Sequence, residues 1–324
     1  MRIGVLGAGW WAEEHAQAIA TVPGLEVAAV CSGSLESARE YAARFGGRAV
    51  VDVQSVFPDV DVVLVTAPHE FHKALALQII QAGKPLLLEK PVAVNWADTQ
   101  EIMNSAKAAG VPCLIGFTNH YFPTFRRAKE LLESGELGEP LAGHSVMQKF
   151  WMEHNRRDWH LNRQRGGGML LTAGIHALDR LMWLMQADVQ SVSAVVGTRW
   201  HQQQADDLAT LFLRLAGGKS GTVGSYGYAQ GGPQNSTHLL CERGALRMDV
   251  LTLEVGRDDR WESVPLALPE NVVTSALAEE WCDFRRWVEQ GSAPQVTPEF
   301  AGQVMQVVFA AEQSSAEGRE IRLA

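Results

Sequence analysis

The chain has 324 residues, 46% hydrophobic and 20% charged, with 28 Lys+Arg against 37 Asp+Glu for a net charge of −9. That length suits about two domains with cores of their own. An acidic balance with no Lys/Arg run argues against a nucleic-acid backbone as partner, and every apolar stretch is broken well before the ~18 residues of a membrane span. Cys31, Cys113, Cys241 and Cys282 are scattered without CxxC or metal-ligand spacing, which predicts reduced cysteines in a cytoplasmic protein. Residues 1–6 lack a basic stretch before their apolar run, so they read as a first strand and not as a secretory leader.

In the first third, strand and helix patterns alternate. The spacing predicts strands over 2–6, 25–31, 60–66, 85–89 and 112–118, and helices over 12–21, 35–45, 70–82 and 96–109. Asn95 is placed to cap the last of these helices, with Asp98 in its first turn. Short continuous apolar strands separated by helices imply buried parallel strands with right-handed crossovers, a doubly wound Rossmann sheet. After about residue 120 the rhythm changes. A helix over 124–134 is followed by strand-like runs over 141–150, 189–200, 209–215, 220–226, 238–241 and 245–250, with a helix near 175–184 among them and two more near 277–289 and 300–316. That order predicts an α+β domain with a large, mostly antiparallel open sheet. The expected division is a dinucleotide-binding domain over 1–120 and a substrate-binding and oligomerisation domain over 121–324.

Gly7-Ala8-Gly9-Trp10-Trp11-Ala12 fits G-x-G-x-x-[GA] between a strand and a helix. The first glycine permits a tight turn, the second lets backbone approach a pyrophosphate, and Ala12 allows close helix–strand packing. Trp10 and Trp11 are large for the two variable positions; an indole bordering the nicotinamide and one packed between domains both fit. At the end of the second strand, Ser32-Gly33-Ser34 stands where NAD-binding proteins carry an acid for the ribose 2′-hydroxyl, and no carboxylate appears before Glu36. Hydroxyls, exposed amides and Arg39 accommodate a 2′-phosphate, so NADP(H) is favoured, with NAD(H) as the alternative.

Glu89-Lys90-Pro91 ends the 85–89 strand, which places a lysine at the carboxyl edge where ligands of doubly wound sheets bind. Other strings follow in order. They are Thr66-Ala67-Pro68-His69-Glu70-Phe71-His72, Gly116-Phe117 with Pro123, Ser134-Gly135-Glu136-Leu137-Gly138, Trp159 before Gly166-Gly167-Gly168-Met169-Leu170, Gly174-Ile175-His176 with Asp179, and Glu317-Gly318-Arg319. With the glycine loop, this ordered set resembles the Gfo/Idh/MocA oxidoreductase family over essentially the whole chain.

The resemblance implies a dehydrogenase or reductase acting on a hydroxyl or carbonyl of a sugar, sugar derivative or cyclitol. Lys90 would be the catalytic lysine, with Pro91 after a cis peptide, and His176 would face it from the second domain. The chemistry suits those types: moving hydride to or from a carbinol carbon also moves the hydroxyl proton, which an ammonium can polarise and an imidazole can take. Cofactor contacts are expected from Gly7, Gly9, Trp10, Trp11, Ser32, Gly33, Ser34, Arg39, Thr66, Pro68, His69, His72, Glu89 and Lys90, and substrate contacts from Lys90, Trp159, His160, Thr172 and His176. Two positions depart from the family pattern. Thr172 stands where an Asp commonly precedes the histidine by four residues, on one helix face with it, and His160 stands where an arginine is more usual. His154, Arg156 and Arg157 complete a polar loop there, and Asp179 reads as structural. His69 and His72 with His176 lack the spacing of a metal site, so no metal is expected. The open sheet has a face in need of cover, which points, as the resemblance does, to a homodimer or homotetramer. Two alternatives stay open: an NAD-dependent glycoside hydrolase working through transient oxidation, and a non-catalytic nucleotide sensor.

Overall fold

A computed structural model describes residues 1–154 and 156–323. Its elements in chain order are β1 (Arg2–Leu6), α1 (Trp10–Thr21), β2 (Glu26–Cys31), α2 (Leu35–Phe45), β3 (Arg48–Val50), β4 (Val62–Val65), α3 (His72–Gln81), β5 (Leu86–Glu89), α4 (Trp96–Ala109), β6 (Cys113–Gly116), α5 (Pro123–Glu133), β7 (Pro140–Phe150), α6 (Ile175–Met185), β8 (Val189–Gly197), β9 (Leu208–Leu215), β10 (Ser220–Tyr228), β11 (Gln234–Cys241), β12 (Gly244–Met248), β13 (Leu253–Arg257), β14 (Arg260–Ser263), α7 (Val272–Gln290), α8 (Pro298–Glu317) and β15 (Ile321–Arg322). The chain divides into two units, Met1–Tyr121 with Pro269–Gly302, and Phe122–Leu268 with Gln303–Ala324. The return of 269–302 to the first unit differs from the single boundary expected at 120/121. It follows from α7, whose Trp281 and Phe284 are fully buried and whose Trp281 bonds to His15 of α1.

The first unit holds a six-stranded parallel sheet in the order β3-β2-β1-β4-β5-β6. Its central strands are apolar along their whole length because both faces are covered: Val62–Val65 and Leu86–Leu88 have no exposed surface. Helix ends follow local chemistry. Asn95 Oδ1 accepts the Asp98 amide at 2.9 Å, and α4 stops at Gly110 in the left-handed region (φ 64°). Helix α1 starts at Trp10, two residues before its expected start. The helix expected over 70–82 is a 3₁₀ turn, His69–Phe71, running into α3.

The second unit holds a nine-stranded sheet, β14-β13-β12-β11-β7-β10-β9-β8-β15, antiparallel except where β10 runs parallel to β7. Strand β9 shows the expected alternation: Ala209, Leu211, Leu213 and Leu215 are buried while Thr210, Phe212 and Arg214 are exposed. Strands β3, β14 and β15 carry no readable signal in the sequence, being two to four residues long and, in β14, exposed throughout. Among the described residues, no helix is long and apolar enough to cross a membrane.

Glycines set how closely α6 lies on this sheet. Gly143 of β7 and Gly221 of β10 are register partners, and a Cβ on either would meet Leu181 of α6, at 2.5 and 2.9 Å. Just before α6, a Cβ on Gly174 would lie 2.1 Å from Ser225 Oγ. Gly174→Ala should therefore destabilise the fold by about 1–3 kcal/mol through overpacking, read as a lowered thermal midpoint. Adding Ser225→Gly should recover most of the loss, and an unchanged midpoint in the single variant would contradict the close contact.

Candidate active site

In the first unit, the loops after β1, β2 and β4 are locked together at the carboxyl edge of the sheet. Gly7 has φ +103°, and a Cβ there would stand 2.7 Å from the Ala67 nitrogen and 2.8 Å from the Thr66 carbonyl carbon. The Gly7 amide donates to Cys31 O (2.9 Å), and Thr66 Oγ1 donates to Gly7 O (3.0 Å). Gly9 is the N-cap of α1. It places no side chain over the helix start, and a Cβ there would meet nothing within 4 Å. First-turn amides behind open space fit an anion such as a pyrophosphate. Trp10 is exposed and Trp11 half-buried, their rings 5.3 Å apart.

After β2, Ser34 caps α2, its Oγ accepting the Ser37 amide at 3.1 Å. Ser32 lies 3.4 Å from Ser37 Oγ, Gly33 is exposed with open space around it, and Arg39 is exposed on α2. After β4, Pro68 is half-buried and the buried His69 lies edge-on to His72, ring centroids 5.5 Å apart. His72 Nδ1 is 2.8 Å from Pro91 O and Nε2 is 2.9 Å from Ala67 O. Burial pushes the His72 pKa down, against the two carbonyls that hold it up. After β5, Glu89 is buried with Oε1 2.9 Å from His15 Nε2, Lys90 is half-buried, and the Lys90–Pro91 peptide is cis.

In the second unit, Trp159 stacks on the buried His160 with ring centroids 3.6 Å apart, and His160 Nδ1 accepts the Arg157 amide at 3.0 Å. The three glycines that follow have separate reasons. Gly166 and Gly168 have φ of +92° and +103°, and a Cβ on Gly167 would fall 2.1 Å from the His160 carbonyl oxygen. Leu170–Gly174 then forms a π turn leading into α6, with the Ile175 amide bonded to Leu170 O. Thr172 lies in that turn and His176 in the first turn of α6. The sequence reading placed both on one regular helix at i and i+4; the i→i+5 bond inserts an extra residue into the turn and alters that relation.

Asp206 carried no sequence signal beyond the Asp206-Asp207 doublet, yet it anchors this segment. Its carbonyl accepts the Met169 amide (2.9 Å) and its Oδ2 the Leu170 amide (2.8 Å), so two free N–H groups at the helix start are satisfied from the loop that precedes β9. Asp207 gathers the amides of Arg199, Trp200 and His201 at 2.7–2.9 Å. His15 and Trp281 were likewise missed, one a lone histidine on an apolar helix and the other lying in the last quarter of the chain. The structure thus links Gly7, Thr66, His72 and the Glu89–Pro91 turn in the first unit, and Trp159 with His160 in the second. Lys90 belongs to the first unit, Thr172 and His176 to the second.

The strand order and the glycine loop define a dinucleotide-binding Rossmann fold, joined in the second unit by a large open sheet. Residues 1–117 match the profile of an oxidoreductase family with an NAD-binding Rossmann fold, GFO/IDH/MocA, and residues 125–247 match the GFO/IDH/MocA C-terminal domain. The chain belongs to the Gfo/Idh/MocA family of oxidoreductases. It is 32% identical over 233 residues to 1-carboxy-3-chloro-3,4-dihydroxycyclohexa-1,5-diene dehydrogenase of Comamonas testosteroni, covering 71% of this chain and 58% of that protein. To trans-1,2-dihydrobenzene-1,2-diol dehydrogenase of Mus musculus it is 30% identical, over 68% of this chain and 67% of the relative. To inositol 2-dehydrogenase of Acidothermus cellulolyticus it is 32% identical, over 61% and 58%. The matched segments thus span less than two thirds of the first and third of these relatives. Among solved structures, levoglucosan dehydrogenase in complex with NADH shares the fold at a TM-score of 0.91 and 21% identity, covering 100% of this chain and 99% of that one.

Burial pushes the Asp206 carboxyl up to about 7, against the Leu170 amide, which holds it down. Between the ordinary value of 3.8 and about 7, the folded protein keeps a proton that the unfolded chain has released. Stability from this group therefore falls as pH rises through that window and is level above it. Asp206→Asn retains an acceptor for the Leu170 amide and removes the charge. Its thermal midpoint relative to the wild type should climb from pH 4 to pH 7 and then plateau. A difference that is flat across this range would contradict the assignment.

Proposed function

We propose that this chain is an NADP(H)-preferring dehydrogenase or reductase acting on a hydroxyl or carbonyl carbon of a sugar, sugar derivative or cyclitol. The observation that carries the reading is the position of Lys90. The glycine loop, the Thr66–Pro68 segment and Lys90 follow β1, β4 and β5, three neighbouring strands, and so leave the sheet at one edge. When bound there, the nicotinamide accepts or delivers the hydride. Gly7, Gly9 and the first turn of α1 would hold its pyrophosphate, with Trp10, Trp11, Thr66, Pro68, His69 and His72 along the same edge. Glu89 contributes through the turn that carries Lys90. The Lys90 ammonium polarises the substrate oxygen, and the His176 imidazole takes or returns the hydroxyl proton. Trp159, His160 and Thr172 would contact the substrate, Thr172 offering a hydrogen bond without the charge an Asp would add. Relatives named for inositol, 1,5-anhydro-D-fructose and glucose 6-phosphate support a cyclic polyol as substrate.

Preference for the 2′-phosphate rests on the Ser32-Gly33-Ser34 turn, which carries no carboxylate, and on Arg39. The capping bond uses a lone pair of Ser34 and leaves its hydroxyl proton free to donate. NAD(H) remains the competitor, since solved relatives bind NAD or NADH. We further propose a homodimer or homotetramer formed through the outer sheet face, where Val195, Phe212, Leu240 and Trp261 are exposed, in a reducing, cytoplasmic setting that suits four unpaired cysteines.

Titration with NADPH and NADH, followed by cofactor fluorescence, should show tighter binding of NADPH; tighter NADH binding would reject the Ser32–Ser34 reading. Lys90→Ala should lower turnover on the order of 10²-fold or more, with cofactor affinity retained. Near-normal turnover in the folded variant would remove Lys90 from the chemistry. Turnover without net consumption of free cofactor would point to the glycoside hydrolase instead.

A further inference from the structure

The first unit contains a buried polar chain that the proposed reaction does not use directly. His15 of α1 is fully buried, and its two ring nitrogens have opposite roles. Trp281 Nε1 lies 3.0 Å from His15 Nδ1. An indole nitrogen only donates, so Nδ1 carries the lone pair and the proton resides on Nε2. That Nε2–H donates to Glu89 Oε1 at 2.9 Å. The Glu89 carboxylate occupies the space left by the missing side chain of Gly116, where a Cβ would be 2.5 Å from Oε1.

A second buried carboxylate, Glu280, stands beside this pair, and single ligand atoms of His15, Glu89 and Glu280 lie within 4.8 Å of one another. Such a grouping resembles a cation site. His15, however, has no lone pair left to offer a metal: one nitrogen accepts from Trp281 and the other holds the proton. The arrangement is a directed hydrogen-bond chain from α7 through α1 to the end of β5.

Burying two carboxylates and an imidazole in a parallel-sheet protein is costly compared with apolar side chains of similar volume. The cost falls beside one particular residue. Glu89 immediately precedes Lys90, and on the other side the Pro91 carbonyl is 2.8 Å from the buried His72. The backbone is thus anchored through a buried histidine on each side of the lysine.

We propose that the Trp281–His15–Glu89 chain is a positioning device for Lys90. Trp281 and Glu89 fix the His15 ring from its two nitrogens, the fixed ring holds the Glu89 carboxylate, and the held carboxylate fixes the direction in which Lys90 leaves β5. This rests on the reading of Lys90 as the catalytic lysine. It assigns a role in the reaction to α7, which no glycine loop or strand-end motif marks.

The test is Trp281→Phe in the full chain, which keeps an aromatic ring in the core and removes the indole N–H together with part of the ring volume. Without that donor the buried Nδ1 lone pair loses its partner, and the ring is held only at Nε2, by the Glu89 carboxylate. In the wild type, ¹⁵N-detected NMR of the imidazole should show the Nε2–H tautomer with a hydrogen-bonded Nδ1; in the variant the Nδ1 resonance should move toward that of an unbonded lone-pair nitrogen. The variant's kcat should fall on the order of tenfold with KM for the cofactor within about twofold, since misplacing a reacting group lowers the rate more than it lowers binding. Glu89→Gln, which keeps an oxygen for the His15 N–H, should retain most of the kcat that Glu89→Ala loses. A folded Trp281→Phe with wild-type kcat, or Nδ1–H in the wild type, would overturn the proposal. If Lys90→Ala alone were without effect, the reading of the lysine would fail and the positioning role with it. Loss in Lys90→Ala but not in Trp281→Phe would reject the positioning role only.

Discussion

The Cβ that Gly7 lacks sets the arrangement of the whole carboxyl edge of the parallel sheet. Strands β1 and β4 are neighbours, and the loops that leave them touch backbone to backbone at Thr66 and Ala67. No side chain fits between them, and the positive φ at Gly7 disfavours one in any case. From that contact the rest of the edge follows. Helix α1 begins with its amides uncapped by any side chain, Thr66 ties its hydroxyl to the glycine loop, and His72 spans from Ala67 to Pro91. The loops after β1, β4 and β5 therefore form one continuous backbone surface ending in the Lys90 turn.

The second unit solves a similar problem with the same residue type. Helix α6 is held at a fixed height above its sheet. Gly143 and Gly221 lower the sheet surface beneath Leu181, while Gly174 removes the one Cβ that would strike Ser225. The π turn at Leu170–Gly174 lets the chain enter α6 with an extra residue, and Asp206 pairs with the buried Met169 and Leu170 amides at its start. Glycine permits the approach, and a buried carboxylate from another segment fixes the end.

Several buried polar groups lie next to residues to which the proposed function gives roles. Glu89 and His15 lie beside Lys90, His72 beside the cis Lys90–Pro91 turn, and Asp206 at the start of the segment bearing Thr172 and His176. Each has a hydrogen-bond partner, which is the condition under which a buried polar group specifies geometry without a large loss of stability. Isolated apolar packing would fill the same volume but would not set a hydrogen-bond direction.

Local chemistry was readable directly. Helix α4 spans 96–109 with its Asn95 cap as expected, the alternation of β9 marks a half-exposed strand, and the glycine loop, the Glu89–Pro91 turn and the 166–168 glycines announce sharp turns and close approaches. These features depend on residues within one or two turns of each other, so spacing along the chain suffices to see them. The sequence by itself therefore determined the doubly wound sheet, the open antiparallel sheet and the position of Lys90 at a strand end. Only the tertiary structure decided that Trp281 would donate to His15, that Asp206 would cap the segment leading to His176, that Thr172 would lie in a π turn running into the helix of His176, and that 269–302 would pack with the first unit. Each of these joins segments distant along the chain or accommodates a helix against its sheet. A hydrogen bond between side chains so far apart in sequence depends on where folding brings their backbones, which no local pattern encodes.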